Sequence, residues 1–281
     1  MNLYQRLKKM SNATFASKDA LFSLYQGDCN EILPSFRDKI DLIFADPPYF
    51  LSNDGLSIQS GKIVSVNKGQ WDKGDNIDEI DAFNLTWIQN AKLALKDTGS
   101  ILISGTYHNI FSLGRILQKL DFKILNIITW QKTNPPPNFS CRYLTHSTEQ
   151  VIWARKSAKH KHIFNYELLK QLNDNKQMRD VWTFPAIAPW EKVNGKHPTQ
   201  KPLALLARLI LMASNGDSVI CDPFSGSSTT GIAANLLKRR FIGIEKENEF
   251  IDISIKRKME LENNFKTIYS KIKDLNIKGL L

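Results

Sequence analysis

The sequence is poor in cysteine and has no long apolar run, and both shortages limit what kind of protein it encodes. Three cysteines in 281 residues, odd in number and far apart, argue against a disulfide framework or a zinc site: Cys29, Cys141 and Cys221. The longest apolar stretch, Leu203–Ala213, is interrupted by Arg208 and is too short to cross a bilayer. The first 12 residues lack the apolar core of a secretion signal. We therefore expect a soluble, cytoplasmic protein that does not contact a membrane.

Basic residues outnumber acidic residues in this sequence. The chain has 28 Asp and Glu against 38 Lys and Arg, which gives a formal net charge of +10 and an isoelectric point near 9.4. This charge favours a polyanionic partner such as nucleic acid, although charge alone also fits a merely basic soluble protein.

The 5 histidines show no metal-binding spacing beyond His160 and His162, which lie in a lysine-rich turn. No metal site is predicted.

The apolar pattern predicts an α/β fold. Residues 78–95 have the spacing of an amphipathic helix, with Phe83, Trp87 and Ala91 on one face. Further helices are expected at 110–120 and 232–238, and strands at 41–45, 100–104, 122–130, 150–153, 219–222 and 240–244. Because strands alternate with helices, we expect a doubly wound, largely parallel sheet in one large domain.

The first motif with a chemical meaning is Asp46-Pro47-Pro48-Tyr49, directly after the apolar run 41–45. The Asp46 carboxylate can accept one hydrogen of an exocyclic amine, and the Pro47 carbonyl can accept the other. Tyr49 can stack on the face of a heterocycle, as aromatic side chains do with bases drawn out of a helix. For these four residues alone, a strand that ends in a Pro-Pro turn explains the pattern equally well.

A second motif runs from residue 219 to residue 231, where an apolar strand enters a turn of small residues and then a helix. Small residues let a ligand approach the backbone, and exposed N–H groups at a helix start suit a polar ligand end. The next strand, 240–244, is followed by Glu245, which is placed where doubly wound folds bind ribose hydroxyls. The turn of small residues and Glu245 together predict a site for a nucleoside cofactor. A nicotinamide cofactor is the weaker option, because the glycine pattern is not Gly-x-Gly-x-x-Gly.

Together the motifs resemble those of the β group of S-adenosylmethionine-dependent DNA amino-methyltransferases, and the resemblance covers residues 20–260. In that family Asp-Pro-Pro-Tyr acts on adenine N6, and Asp-Pro-Phe-x-Gly-Ser-Gly-Thr-Thr binds S-adenosylmethionine; Ser228 replaces the second glycine here. The order of the motifs implies a circularly permuted, Rossmann-like methyltransferase fold with an inserted target-recognition region. The implied parts are a catalytic half, 1–153, the insertion, 154–195, a cofactor-binding half, 196–260, and a basic C-terminal tail, 261–281.

The resemblance implies roles for individual residues. Asp46, Pro47, Pro48 and Tyr49 would be catalytic, with methyl transfer direct and without a covalent enzyme intermediate. The family's segment before the catalytic strand places Asp28 at the cofactor adenine, and its lysine-proline motif places Thr199 and Lys201 at the methionine moiety. The full set expected to bind the cofactor is Asp28, Asp46, Thr199, Lys201, Asp222, Phe224, Gly226, Ser228, Thr229, Thr230 and Glu245.

Two stretches are expected to contact DNA. Residues 51–76 form a long connection that we interpret as a lid over the flipped base, although a surface loop with Trp71 in the core is an open alternative. Residues 154–195 mix basic residues with Phe164, Tyr166, Trp182, Phe184 and Trp190, a composition expected at a nucleic-acid surface. The individual side chains predicted to bind DNA are Tyr49, Phe50, Trp71, Lys132, Asn134, Arg142, Lys159 and Arg179.

Within the family, the sequence is similar to the second adenine methyltransferases of DpnII-type restriction systems. This implies methylation of adenine within GATC, action on double-stranded DNA with tolerance of single strands, and a cognate endonuclease that need not bind the chain. A homodimer is left open. Cytosine N4 methylation is the nearest alternative, but that group more often has Ser in place of Asp46. The glycine pattern disfavours a nicotinamide-dependent oxidoreductase, and the presence of Asp46, Tyr49 and Glu245 disfavours a DNA-binding module with a dead site.

Overall fold

A computed structural model of the chain describes residues 13–49, 56–59, 62–65, 77–138, 140–195 and 197–272. The strands are β1 Phe15–Ala16, β2 Phe22–Gln26, β3 Ile40–Ala45, β4 Leu56–Gln59, β5 Lys62–Ser65, β6 Leu95–Gly105, β7 Lys123–Lys132, β8 Thr148–Arg155, β9 Val181–Phe184, β10 Val219–Asp222 and β11 Arg240–Glu245. The α-helices are α1 Cys29–Ile32, α2 Ile77–Ala94, α3 Ile110–Lys119, α4 Tyr166–Leu172, α5 Leu203–Ala213, α6 Thr229–Leu236 and α7 Asn248–Ser270.

Nine of these strands form one sheet in the order β1-β2-β11-β10-β3-β6-β8-β7-β9. Strands β2, β11, β10, β3 and β6 are parallel to one another, and β7 and β9 point the same way. Only β1 and β8 run against the other strands of this sheet. The predicted doubly wound, largely parallel sheet is therefore confirmed.

The sheet is buried on both faces because its central strands alternate apolar side chains between two cores. Leu42 and Phe44 of β3 belong to a cluster that includes α5 and α6. Ile43 and Ala45 point to the opposite face, where α2 and α3 pack. This alternation, with a period of two residues, explains why the strand reads as a continuous apolar run in the sequence.

The middle of the sheet contains a change of direction in the chain path. From β10 the chain passes through α6 on one face to β11, whereas from β3 it passes through α2 on the other face to β6. The two helices leave in opposite directions, so a crevice opens at the carboxyl ends of β3 and β10. Ligands of doubly wound folds bind at this topological switch point.

Two segments differ from their predicted character. Residues 154–195 contribute β9 to the main sheet, and Trp182 and Phe184 of that strand are buried in the core. These two rings are therefore not part of a DNA-facing surface, because β9 directs them inward. The boundary predicted at residue 260 falls inside α7, and Leu261, Ile268 and Ile272 pack in the core. This part of the predicted tail is anchored to the core by apolar contacts.

Several expectations lie at the limits of the structure. Phe50 and Trp71 are outside the described residues, as is most of the predicted lid, of which the antiparallel hairpin β4–β5 is described. The three cysteines are free thiols. Among the described helices, none combines the length and apolar character needed to span a membrane.

The close approach of α6 to the sheet predicts a sharp response at Gly231. A Cβ atom there would lie 2.5 Å from ring atoms of Phe22 and Phe241, both of which are buried. Alanine would improve helix propensity, but overlap with two fixed rings outweighs that gain, and we expect Gly231→Ala to lower the free energy of unfolding by about 2 kcal/mol. Gly216→Ala is the control, because nothing lies within 4 Å of its Cβ position. Urea denaturation measures both; equal stability of the two variants would contradict the packing argument.

Candidate active site

The two predicted motifs meet at the crevice. Strands β3 and β10 are hydrogen-bonded neighbours with Ile43 opposite Cys221, so the residues that follow each strand emerge at the same edge of the sheet. Asp46 and Asp222 both line a cavity of about 240 Å³ at that edge. Eleven residues were predicted to bind the cofactor, and all of them except Ser228 line this cavity.

The Asp46 carboxylate is held by two donors. Lys201 donates to Oδ2 over 2.6 Å, and the Tyr49 hydroxyl donates to Oδ1 over 2.7 Å. The Tyr49 oxygen also lies 2.8 Å from Oγ of Ser104, at the end of the neighbouring strand β6. The Pro47-Pro48 turn thus brings Tyr49 back against the residue that begins the motif. Asp46 is fixed in position, and its remaining lone pairs can still accept hydrogens.

Beyond this pair, the network continues with charges of alternating sign. The Nζ atom of Lys201 lies 3.6 Å from Oε2 of Glu149, and Lys132 donates to Oε1 of Glu149 over 2.6 Å. Two carboxylates and two ammonium groups therefore form a network without net charge: Asp46, Lys201, Glu149 and Lys132. Such compensation makes burial of the four charges tolerable.

The protonation tendencies follow from this arrangement. Burial opposes the charge on Lys201, but the carboxylates of Asp46 and Glu149 outweigh it and raise the pKa of the ammonium group. Burial, followed by the charges of Asp46 and Glu149, raises the pKa of the Tyr49 hydroxyl well above its ordinary value. Lys201 therefore stays cationic and Tyr49 stays a neutral donor across the physiological range.

Tyr49 is placed differently from its predicted stacking position. The side chain is 6% exposed and is not among the residues that line the cavity. The Nζ atom of Lys201 lies 5.1 Å from the ring centroid, which is a cation–π distance. In this structure the residue orients Asp46 through its hydroxyl, and stacking of its ring on a base stays a prediction.

The small-residue turn after β10 is organised by Asp222. Its carboxylate accepts hydrogen bonds from the Thr230 hydroxyl over 2.6 Å and from the Phe224 backbone N–H over 3.0 Å. Gly226 has a φ of +50°, and a Cβ there would come within 2.9 Å of the His197 ring. Glycine is therefore required at this position both by the backbone conformation and by the close approach of the ring.

Ser228 requires a correction. Its φ of +55° is a left-handed conformation that glycine adopts without cost, and its hydroxyl bonds with Oγ of Ser225 and Oγ of Ser254. The side chain is fully buried and does not line the cavity. Serine offsets the strained backbone with these two hydrogen bonds, so its side chain shapes the turn, and its contact with the cofactor stays a prediction.

Burial also affects the acids that line the cavity. Removal from water raises the pKa of Asp222 to about 7, with smaller upward contributions from the charges of Asp46 and Glu245 and opposing contributions from its two hydrogen bonds. Burial likewise raises the pKa of Glu245, although its carboxylate accepts three backbone hydrogen bonds, from Gly226 over 2.7 Å and from Lys246 and Glu247 over 2.9 Å. Concentrated negative charge at low hydration favours a cationic ligand.

The remaining predicted cofactor residues lie on the cavity wall. Asp28 caps α1 by accepting a hydrogen bond from the Asn30 N–H over 2.8 Å. Phe224 packs edge-on against Trp87 at 5.2 Å, which fixes the ring at the crevice. Thr199 and Thr229 line the same cavity.

Several residues of the site were missed in the sequence. The rings of Phe83, His197 and Phe250 line the cavity, and His197 and Phe250 pack edge to face at 4.3 Å. Ser104 and Glu149 complete the network around Asp46. His197 falls within the lysine-proline motif, and Glu149 begins a stretch that resembles the family's motif beside the target base, so both had a local signal. Phe83, Phe250 and Ser104 had none as site residues, because the fold brings their elements to the crevice.

The residues predicted to bind DNA lie in different environments, and some of them are engaged in contacts within the protein. Lys132 is engaged by Glu149 and lies 5.0 Å from the Trp130 ring, so its ammonium is committed to the network and is not a free phosphate contact. Oδ1 of Asn134 accepts the Ala186 N–H over 2.8 Å, which ties the β7–β8 connection to the segment after β9. The exposed candidates are Arg142, Lys159 and Arg179.

Comparison with known proteins identifies close relatives. The DNA methylase family model matches residues 40–256. The type II methyltransferase M2.MboI of Moraxella bovis is 58% identical over 257 residues, which cover 90% of this chain and 94% of that protein. The type II methyltransferase M2.DpnII of Streptococcus pneumoniae is 56% identical over 227 residues, 80% of this chain and 84% of that protein. The crystal structure of an M1.HpyAVI–SAM complex has a TM-score of 0.65 at 30% identity, covering 84% of this chain and 98% of that one.

The buried network predicts an unequal response of two ion pairs of similar length. Lys201→Met removes the cation next to Asp46 and Glu149, where the lysine side chain is 7% exposed, and we expect a loss of about 3–5 kcal/mol in the free energy of unfolding. Lys96→Met removes the partner of Asp41 at 2.7 Å, where the lysine side chain is 41% exposed, and should cost about 0–1 kcal/mol. Urea denaturation followed by circular dichroism compares them. Equal losses would show that the network around Asp46 is not desolvated.

Proposed function

The chain belongs to the DNA methylase family, and we propose that its target is the N6 amine of adenine within GATC. It is a site-specific, S-adenosylmethionine-dependent DNA methyltransferase of a restriction–modification system, as its type II relatives indicate. The observation that carries the proposal is the position of Asp46 directly after β3, on the wall of the acidic cavity. An aspartate at this position favours adenine over the cytosine N4 amine, and similarity to DpnII-type enzymes supports GATC.

The cavity has the charge and the surfaces that S-adenosylmethionine requires. The chain has a net charge of +10, yet acidic residues outnumber lysines on the cavity wall, which suits a ligand with sulfonium and ammonium charges: Asp28, Asp46, Asp222, Glu245 and Glu247. The rings of Phe83, Phe224 and Phe250 offer flat surfaces for its adenine. When bound, the cofactor supplies an electrophilic methyl group. Asp222, with a pKa raised to about 7 by burial, would hold a positive charge of the ligand in its ionised form.

The residues around Asp46 prepare the amine of the target base. The amine is a weak nucleophile because its lone pair is delocalised into the heterocycle. Asp46 and the Pro47 carbonyl accept its two hydrogens and favour a tetrahedral nitrogen with a localised lone pair. Lys201 holds the carboxylate in place from one side, and Tyr49 fixes its rotation from the other. Positioning provides most of the acceleration, and Asp46 is the nearest acceptor for the proton that the nitrogen loses.

The target proposal is tested by methylation of genomic DNA with the purified protein, followed by base-resolution mapping of modified sites. We expect N6-methyladenine confined to GATC. Asp46→Ala should slow methyl transfer by raising its activation free energy by about 2.7–4 kcal/mol or more, since the variant lacks an acceptor that is used as charge develops. Its affinity for the cofactor should change only several-fold. Methylated cytosine would establish the N4 alternative, and near-normal turnover of Asp46→Ala would remove this residue from catalysis.

Titration of Asp222 predicts pH-dependent cofactor binding. Burial raises the pKa of its carboxyl group to about 7. Below that pH a cationic ligand must displace the carboxyl proton, whereas above it the ligand binds a carboxylate that is already ionised. The ratio of wild-type to Asp222→Asn affinity should rise about tenfold between pH 6 and pH 8. The ratio cancels titration of the cofactor itself. Calorimetry across this range measures it; a ratio independent of pH would show that no positive charge of the ligand lies beside Asp222.

A further inference from the structure

Four aromatic side chains form a row of rings that neither core contains. Tyr107 lies 3.9 Å from His108 on one side, between ring centroids, and 4.9 Å from His146 on the other. The Tyr107 and His146 planes differ by 20°, so these rings are stacked, and Tyr143 follows His146 at 5.4 Å. We refer to His108, Tyr107, His146 and Tyr143 as the ring row. It joins the loop after β6 to the loop before β8.

One end of the ring row is tied to the candidate active site through β6. Ser104, which lies 2.8 Å from the Tyr49 hydroxyl, precedes Tyr107 by three residues. A chain of three residues spans at most about 10 Å. The ring of Tyr107 therefore begins close to the group that orients Asp46.

The other arm of the row is tied to the same network through β8. His146 precedes Glu149 by three residues, and Glu149 lies 3.6 Å from Lys201. Two separate loops thus place stacked rings next to the residues around Asp46. Because both loops leave the sheet at this point, the ring row lies at the same edge of the sheet as the network around Asp46.

The exposure and charge of this region suit DNA. Tyr107 is 53% exposed and Tyr143 is 62% exposed, so neither ring gains the burial that usually justifies an aromatic side chain. Arg142, beside Tyr143, is exposed as well, and the chain carries a net charge of +10. Flat rings combined with positive charge fit stacked bases on a phosphate backbone. An apolar protein partner would not explain the stacking of two histidines with two tyrosines.

We propose that the ring row is a stacking platform for the nucleotide next to the target base, with that base continuing the row on Tyr143. The inference rests on the proposed function, because it concerns the strand whose adenine enters the site. A base drawn out of the helix leaves its neighbours without a stacking partner, which costs a few kcal/mol. A ring supplied by the protein offsets part of that cost, and it does so for any flanking base because every base has a π-face.

The experiment measures affinity with oligonucleotides that contain GATC, and stacking with matched oligonucleotides in which the fluorescent analogue 2-aminopurine replaces the guanine that precedes the target adenine. Tyr143→Ala should weaken binding about 5- to 150-fold and should relieve the quenching of 2-aminopurine caused by stacking. Tyr143→Phe keeps the ring and should bind within about twofold of wild type with quenching intact. Tyr107→Ala should weaken binding too, because His146 loses the ring on which it rests.

Phe111→Ala is the matched control, since Phe111 is 77% exposed on the first turn of α3 and is not part of the ring row. It should bind DNA normally, and all variants should keep their affinity for S-adenosylmethionine and their thermal stability. Normal binding by Tyr143→Ala, or an equal loss in Phe111→Ala, would overturn the proposal. So would a wild-type protein that binds no oligonucleotide. If the wild type quenches through Tyr143 but methylates no adenine, the platform stands and the proposed function fails.

Discussion

The ion pair between Lys201 and Asp46 is the contact on which the candidate site depends. It joins positions 155 residues apart and links the catalytic strand β3 to the loop before α5. Every other group of the network takes its place relative to this pair: Tyr49 and Ser104 on one side, Glu149 and Lys132 on the other. Because the two ammonium groups balance the two carboxylates, their joint burial is tolerated. The Asp46 carboxylate is held in one orientation by Lys201 and Tyr49.

Positive and negative charge are concentrated in different parts of the protein, which suits two ligands of opposite charge. The chain as a whole is basic, which suits DNA, yet carboxylates line the cavity at the ends of β3 and β10. The sheet makes this separation possible because neighbouring parallel strands end in Asp46, Asp222 and Glu245 at one edge, while Arg142, Lys159 and Arg179 are exposed elsewhere. The elevated pKa of Asp222, about 7, reflects the cost of assembling these acids away from water. A cation in the cavity relieves that repulsion.

The sequence predicted what depends on local pattern. Apolar spacing placed α2, α3 and β10 within a few residues of their observed bounds, and the motifs placed Asp46 and Asp222 at strand ends. It did not predict that Lys201 binds Asp46, since the two are remote in the chain. Nor could it predict Lys132 as the partner of Glu149, because that contact requires the register of the β7–β8 hairpin, in which Trp130 lies opposite Glu149.

Composition misled where burial decides the role of a side chain. Trp182 and Phe184 have the makeup of a nucleic-acid surface in the sequence, but β9 pairs with β7 and turns both rings into the core, where Arg208 covers them at 5.3 Å and 4.4 Å. Ser228 matched a cofactor motif, but its left-handed backbone directs the hydroxyl away from the cavity. In both cases the sequence indicated the kind of contact that the residue type can make, but not the direction in which the side chain points. That direction is set by strand pairing and backbone conformation.

The end of β6 and the start of β8 each contribute one residue to the network around Asp46 and one to the ring row. Ser104 and Glu149 point to the network around Asp46, while Tyr107 and His146, three residues away, stack on each other outside it. The two strands are hydrogen-bonded neighbours in antiparallel register, with Gly105 opposite Gln150. The pairing of these strands therefore sets where the ring row lies relative to the Asp46 carboxylate. Orientation of this kind, built into the scaffold before any ligand arrives, makes positioning an effective source of rate enhancement.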